Sequence, residues 1–155
     1  MMSLLLLSKF ERTDAYMFKK ILLAADGSAH ALRAAEKAID MAKIDPDAHV
    51  VVLYVVDSKT SKADVLRNLD TEGIAELRQQ KMHAIEKKAQ DAGVSYEMKI
   101  IRGEPGPSIV EYAKNNNVEV ILIGSRGLNA LQEFMLGSVS HKVAKHAKCP
   151  VMIIK

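Results

Sequence analysis

Apolar and polar positions alternate along this chain in two rhythms. From Lys19 to Ala25 the sequence reads KKILLAA, a short unbroken apolar run. Such a run suits a strand covered on both faces. Asp26-Gly27-Ser28 interrupts it, and Ser28 is a suitable N-cap. Leu32, Ala35, Ile39 and Ala42 then recur at helical spacing, until Asp45-Pro46-Asp47 stops the pattern. His49 to Val56, HVVVLYVV, is a second buried strand rich in β-branched residues. Residues Asp57 to Asp70 are polar and read as a loop or lid. A longer helix is expected from about Thr71 to Asp91, carrying Ile74, Leu77, Met82, Ile85 and Ala89, with Gly93 as its stop. Ser95 to Ile101 begins by alternating, which suits a half-exposed strand at a sheet edge. The residues Gly103 to Pro107 read as a turn, and Ser108 to Lys114 as a helix with Ile109, Tyr112 and Ala113 on one face. Val118 to Ile123 is the fourth strand. The segment Gly124 to Gly137 follows, then a helix with Val139, Val143 and His146-Ala147 on one face, then a last strand, Val151 to Ile154.

Strands that alternate with helices build parallel sheets joined by right-handed crossovers. The expected fold is α/β: a doubly wound five-stranded parallel sheet, order 3-2-1-4-5, with helices on both faces. In that order the chain reverses direction between strands one and four. Ligands bind outside the carboxyl ends of the strands at such a point. The Asp26 turn and the Gly124 segment are therefore expected to meet, although they are far apart in sequence. Residues 17–155 read as one domain and 1–16 as a flexible N-terminal extension, with Met17 a natural start.

Composition narrows the function. The chain has 155 residues, 48% of them hydrophobic and only 5% aromatic, with no Trp. A chain of this size can bury an adequate core without disulfides or a structural metal. The scarcity of aromatics disfavours base-stacking platforms. The net charge of +3 comes from interleaved Lys, Arg, Asp and Glu with no long basic run, so no nucleic-acid partner is expected. The Leu4 to Leu7 run is too short for a secretory or membrane-spanning segment. A cytoplasmic location is expected. Cys149 is the single cysteine and reads as a small buried hydrophobe rather than a reactive thiol. The five histidines are scattered, and the nearest pair, His141 and His146, does not share a helical face, so no histidine metal site is expected.

The candidate chemistry lies in GSRGLNALQEFMLGSVS, residues Gly124 to Ser140. Glycines at 124 and 127 allow a tight turn and a close approach of main-chain N–H groups to an anion. Gly137-Ser138 opens the next helix, where free N–H groups and the helix dipole favour phosphate. Ser138 and Ser140 add hydroxyls, and Arg126 offers a planar cationic fork. Spacing alone equally allows a loop that merely joins strand to helix. Asp26, likewise, is either a turn former or a ligand. There is no Gly-Lys pair for a P-loop and no G-x-G-x-x-G after the first strand.

The segment resembles the nucleotide-binding signature of the universal stress protein family, G-x2-G-x9-G-[S/T], met here by Gly124, Gly127, Gly137 and Ser138. The resemblance extends over Asp26-Gly27-Ser28, over Val55-Val56-Asp57 and over the Gly-x-Pro at Gly103 to Pro105. It implies an ATP-binding domain, with Mg or Mn accompanying the nucleotide. It implies that the four signature residues line the phosphates, with Ser125, Arg126, Val139 and Ser140 beside them. Asp26 would approach the ribose or the metal ion. Val55 would meet the adenine through its main chain, with Ala24 and Ala25 at the neighbouring strand end. It further implies a homodimer through Val151 to Ile154. The function expected is regulatory, with nucleotide as a conformational or partner switch. A slow ATPase or phosphotransferase, and a nucleotide-free dimeric scaffold, are the alternatives. No nucleophile–base pair marks an efficient enzyme. Gly127→Val is expected to abolish ATP binding, measured by calorimetry, while leaving the far-UV circular dichroism unchanged, because a side chain would fill the phosphate space.

Overall fold

The computed structural model describes residues 18–25, 29–57, 71–125 and 136–155. Five strands form the sheet: β1 Lys20–Ala24, β2 His49–Asp57, β3 Ser95–Gly103, β4 Val120–Gly124 and β5 Val151–Ile154. Four helices connect them: α1 Ala29–Ala42, α2 Thr71–Asp91, α3 Pro105–Asn115 and α4 Ser138–His146. The strand order is β3-β2-β1-β4-β5 and every pairing is parallel.

Side-chain alternation along the strands divides the core in two. Ile21, Leu23, Val50, Val52, Val120 and Leu122 face α1 and α2, where they pack on Ala34, Ala35, Ala38, Met82 and Ile85. Leu22, Val51, Leu53, Ile121 and Ile123 face the other way and pack with Ile109, Ala113 and Val143 of α3 and α4. The handedness of the crossovers explains this division. The steps β1 to β2 and β2 to β3 run one way across the sheet; the steps to β4 and β5 lie on the other side of β1. Right-handed connections in opposite directions put their helices on opposite faces. The alanines of α1 are small enough to let that helix lie close to β1 and β4.

The element boundaries differ from the sequence expectation in instructive places. Helix α3 starts at Pro105, inside the stretch read as a turn. Proline is accepted in the first helical turn because its missing N–H has no partner there and its φ is already helical. Glu104 occupies the N-cap position. Strand β3 runs on to Gly103, pairing Arg102 with Val56 and Gly103 with Asp57. On α4, Val143 is buried and Ala147, just beyond the helix, is half-buried, but His146 is exposed and does not share that apolar face. Gly93 follows α2 with φ of 67°, the left-handed conformation expected of a glycine stop. The Ser28 cap and the 1–16 extension lie outside the described residues.

Candidate functional site

The site is built where β1 and β4 end side by side. Ala24 pairs with Ile123, one residue before Gly124 closes β4. Helix α1 rises from the same end of the sheet, and its first turn lies directly over Gly124. A Cβ placed on Gly124 would stand 2.7 Å from the His30 Cβ, 3.0 Å from the His30 carbonyl carbon and 3.2 Å from the Ala31 nitrogen. The glycine at 124 is therefore required by helix–sheet contact, a different reason from the anion approach inferred from spacing.

Ser125 follows and is tied on every side. Its N–H donates to the Ile154 carbonyl of β5 at 2.7 Å. Its carbonyl accepts from the Gly137 N–H at 2.7 Å and from the Ser140 Oγ at 3.0 Å. Its own Oγ lies 3.3 Å from His30 Nδ1. Ser140 Oγ also lies 3.0 Å from the Gly137 carbonyl. Ser125 and Ser140 are the two buried polar side chains among the described residues, 5% and 2% exposed. Buried hydroxyls are retained where hydrogen bonds satisfy them; here they join the end of β4 to the start of α4.

That junction brings the α4 N-terminus to the end of β4. Gly137 is the N-cap, with extended backbone and no side-chain cap. The first intrahelical bond is His141 N–H to the Gly137 carbonyl, 3.0 Å. The amides of Ser138, Val139 and Ser140 precede it and so lack helical acceptors. No acidic residue stands in the first turn to oppose an anion. Ser138 is exposed and Val139 half-buried. Amides, an exposed hydroxyl and a positive dipole end are the donor set a phosphate group takes.

The other expected residues fall into three groups. Ala24 and Val55 lie with Val139 on the sheet face of α3 and α4. Val55 stands two residues beyond Leu53, the last β2 partner of β1, so it projects past the end of its neighbour. Ala25 packs instead in the core beneath α1, leaving only its main chain near the crevice. The Ser140 hydroxyl, expected as a ligand donor, is spent inside the junction. Asp26, Arg126 and Gly127 lie outside the described residues. Sequence reading passed over His30 and Arg33. They sit on α1, where Arg33 Nη2 donates to His30 Nδ1 at 3.1 Å and Arg33 Nε donates to the Lys155 carbonyl at 2.8 Å. Nothing in their spacing indicates that α1 will lie on Gly124. Cys149 is half-buried, and burial raises its thiol above the usual range, away from the reactive thiolate. Among the described residues no group of three or more His, Cys, Asp or Glu could hold a metal ion, and no helix is long and apolar enough to cross a membrane.

The sequence model of the universal stress protein family matches residues 17–155. The chain belongs to the universal stress protein family. It is 34% identical to the universal stress protein MJ0531 of Methanocaldococcus jannaschii over 97% of this chain and 89% of that protein. It is 36% identical to the universal stress protein YxiE of Bacillus subtilis, over 90% of this chain and all of that one. The solved structure of the protein MJ0577 superposes with a TM-score of 0.79 at 32% identity, over 90% of this chain and 96% of that one. An Arabidopsis thaliana protein of the universal stress protein family, solved with AMP bound, is 25% identical, with a TM-score of 0.63 over 88% of this chain and 91% of that one. A universal stress protein in complex with cAMP shares the fold, with a TM-score of 0.65 at 22% identity over 90% of this chain and 98% of that one.

Proposed function

We propose that this universal stress protein binds an adenine nucleotide in the crevice at the ends of β1 and β4, and that ATP acts there as a regulatory ligand in the cytoplasm. One observation carries the reading. The uncapped N-terminus of α4 is held against the end of β4 by the Ser125–Gly137 bond of 2.7 Å, so its amides converge on the switch point of the sheet. Ser138, Val139 and Ser140 would hold the phosphates through their free amides, with the Ser138 hydroxyl adding a donor and Gly137, its own N–H engaged by Ser125, setting the turn. Ala24, the last residue of β1, and Val55, near the end of β2, would border the base. The AMP and cAMP found on two structural neighbours support an adenine nucleotide. Gly127, a signature position, with Asp26 and Arg126, expected from the wider family resemblance, would complete the set, and Asp26 would serve a Mg or Mn ion bound with the nucleotide. Metal and phosphate together would supply charge that favours one arrangement of the crevice over another.

Mass spectrometry of nucleotide released from freshly purified protein, with calorimetric titration of Mg-ATP, tests the reading. Released adenine nucleotide, or saturable binding, is expected. An empty protein that shows no binding at millimolar Mg-ATP removes it.

The reading includes a homodimer through β5. That strand lies at the sheet edge, and Met152 on it is 40% exposed. An unpaired apolar edge favours pairing with another chain. Light scattering at micromolar concentration is expected to give twice the chain mass, and a monomer there would contradict it.

A further inference from the structure

His30 meets the corner formed by the end of β4 and the start of α4, although it does not belong to the family signature. Its Cβ and main chain lie against Gly124, and Nδ1 is approached by Arg33 Nη2 at 3.1 Å and by Ser125 Oγ at 3.3 Å. A guanidinium only donates hydrogen bonds. Nδ1 is therefore the acceptor, the ring proton is on Nε2, and the Ser125 hydroxyl, at the longer distance, shares that one lone pair as a second donor.

We infer that His30 is a positioning residue for nucleotide binding, acting through Ser125 by fixing the direction of its hydroxyl and hence the carbonyl that holds the start of α4. The main chain of Ser125 carries β5 through its N–H and Gly137 through its carbonyl. Ser125 as a whole is 5% exposed, which leaves its hydroxyl little access to water. Without the imidazole, that hydroxyl must find an acceptor within the corner, and the nearby carbonyls of the corner are already engaged by Gly137 and Ser140. A buried donor deprived of its partner is unfavourable, and rearrangement of the corner is the relief open to it. The charged side chain facing His30 among the described residues is Arg33 on the same helix, which also bonds the main chain of Lys155. The arrangement thus links α1, the end of β4, the start of α4 and β5 through one acceptor nitrogen.

This inference rests on the nucleotide reading above for its effect on affinity, but its mechanical part does not, and the test separates them. His30→Leu keeps bulk against Gly124 and removes the acceptor. His30→Asn places a carbonyl oxygen close to where Nδ1 stands. Two quantities are measured on the full chain: the dissociation constant for Mg-ATP, and hydrogen exchange of the Gly137 amide in the nucleotide-free protein. In His30→Leu, affinity is expected to fall about tenfold, the scale of one well-placed hydrogen bond. Exchange at Gly137 is expected to quicken by a similar factor, while core amides of β1 stay protected. His30→Asn is expected to restore both to within about threefold of the parent. Ser125→Ala, which leaves no orphaned donor, should be milder than His30→Leu, and adding it to His30→Leu should recover part of the loss. Parental behaviour of His30→Leu in both measurements overturns the inference, as does a His30→Asn variant as impaired as His30→Leu. If the parent protein binds no Mg-ATP, the nucleotide reading fails alone and Gly137 exchange decides the positioning role.

Discussion

Gly124→Val is expected to remove most of the stability of this protein, and Gly124→Ala a measurable part of it. The first added carbon alone meets the main chain of α1, 3.0 Å from the His30 carbonyl carbon and 3.2 Å from the Ala31 nitrogen, besides the His30 Cβ at 2.7 Å. A side chain can rotate away from a clash; a helix backbone cannot. Relief requires α1 to lift from β1 and β4, which opens the contact between Leu122 and the alanines of α1. Overpacking of this kind costs about 1–3 kcal/mol, so about 2 kcal/mol is expected for alanine and more than 3 kcal/mol for the larger valine. For a chain of this size the alanine variant should melt roughly 4–8 °C lower. Thermal unfolding followed by circular dichroism measures both. An alanine variant within about 0.5 kcal/mol of the parent would show that Gly124 serves only ligand approach.

Leu122→Ala is expected to be as damaging for the opposite reason. Leu122 is fully buried at the centre of β4, between β1 and β5, beneath α1. Its removal leaves a void that the surrounding strands cannot readily close, because β1 is fixed by ladders on both sides and β5 by its ladder to β4. Buried leucine truncations cost about 3–4 kcal/mol through lost transfer energy and the remaining cavity. Urea denaturation should show a lower midpoint with an unchanged slope. A loss below about 1 kcal/mol would mean that the sheet is packed less tightly at β4 than its zero exposure indicates. Both changes disturb the strand that presents Ser125, and would therefore also weaken the proposed nucleotide binding.

The architecture was legible in the sequence because it depends on repeated local signals. The runs ILLA, VVVL and VILI show no solvent side, which requires helices above and below them. The order of elements then leaves few topologies for right-handed crossovers. Boundaries were less legible where two signals compete: Pro105 and Pro107 resemble turn residues, yet both fit the first turn of α3. The glycines and serines of the 124–140 segment drew notice through spacing. Their division of labour did not, because Ser140 and Ser138 are alike in sequence and differ only in which way the first turn of α4 faces. His30 was invisible for a related reason. Its partner Ser125 is distant along the chain, and their meeting depends on the angle at which α1 crosses the sheet.

The bond from the Gly137 N–H to the Ser125 carbonyl has an engineering consequence. It clamps the two ends of the stretch between them at 2.7 Å, with the Ser140 hydroxyl as a second fastening. A chain segment whose ends are already joined can be lengthened with little entropic penalty, about 0.6 kcal/mol for each doubling. Peptide epitopes or reporter tags inserted there would be carried on a fixed pedestal at little cost in stability, provided that Arg126 and Gly127, needed by the proposed nucleotide site, keep their place beside Ser125.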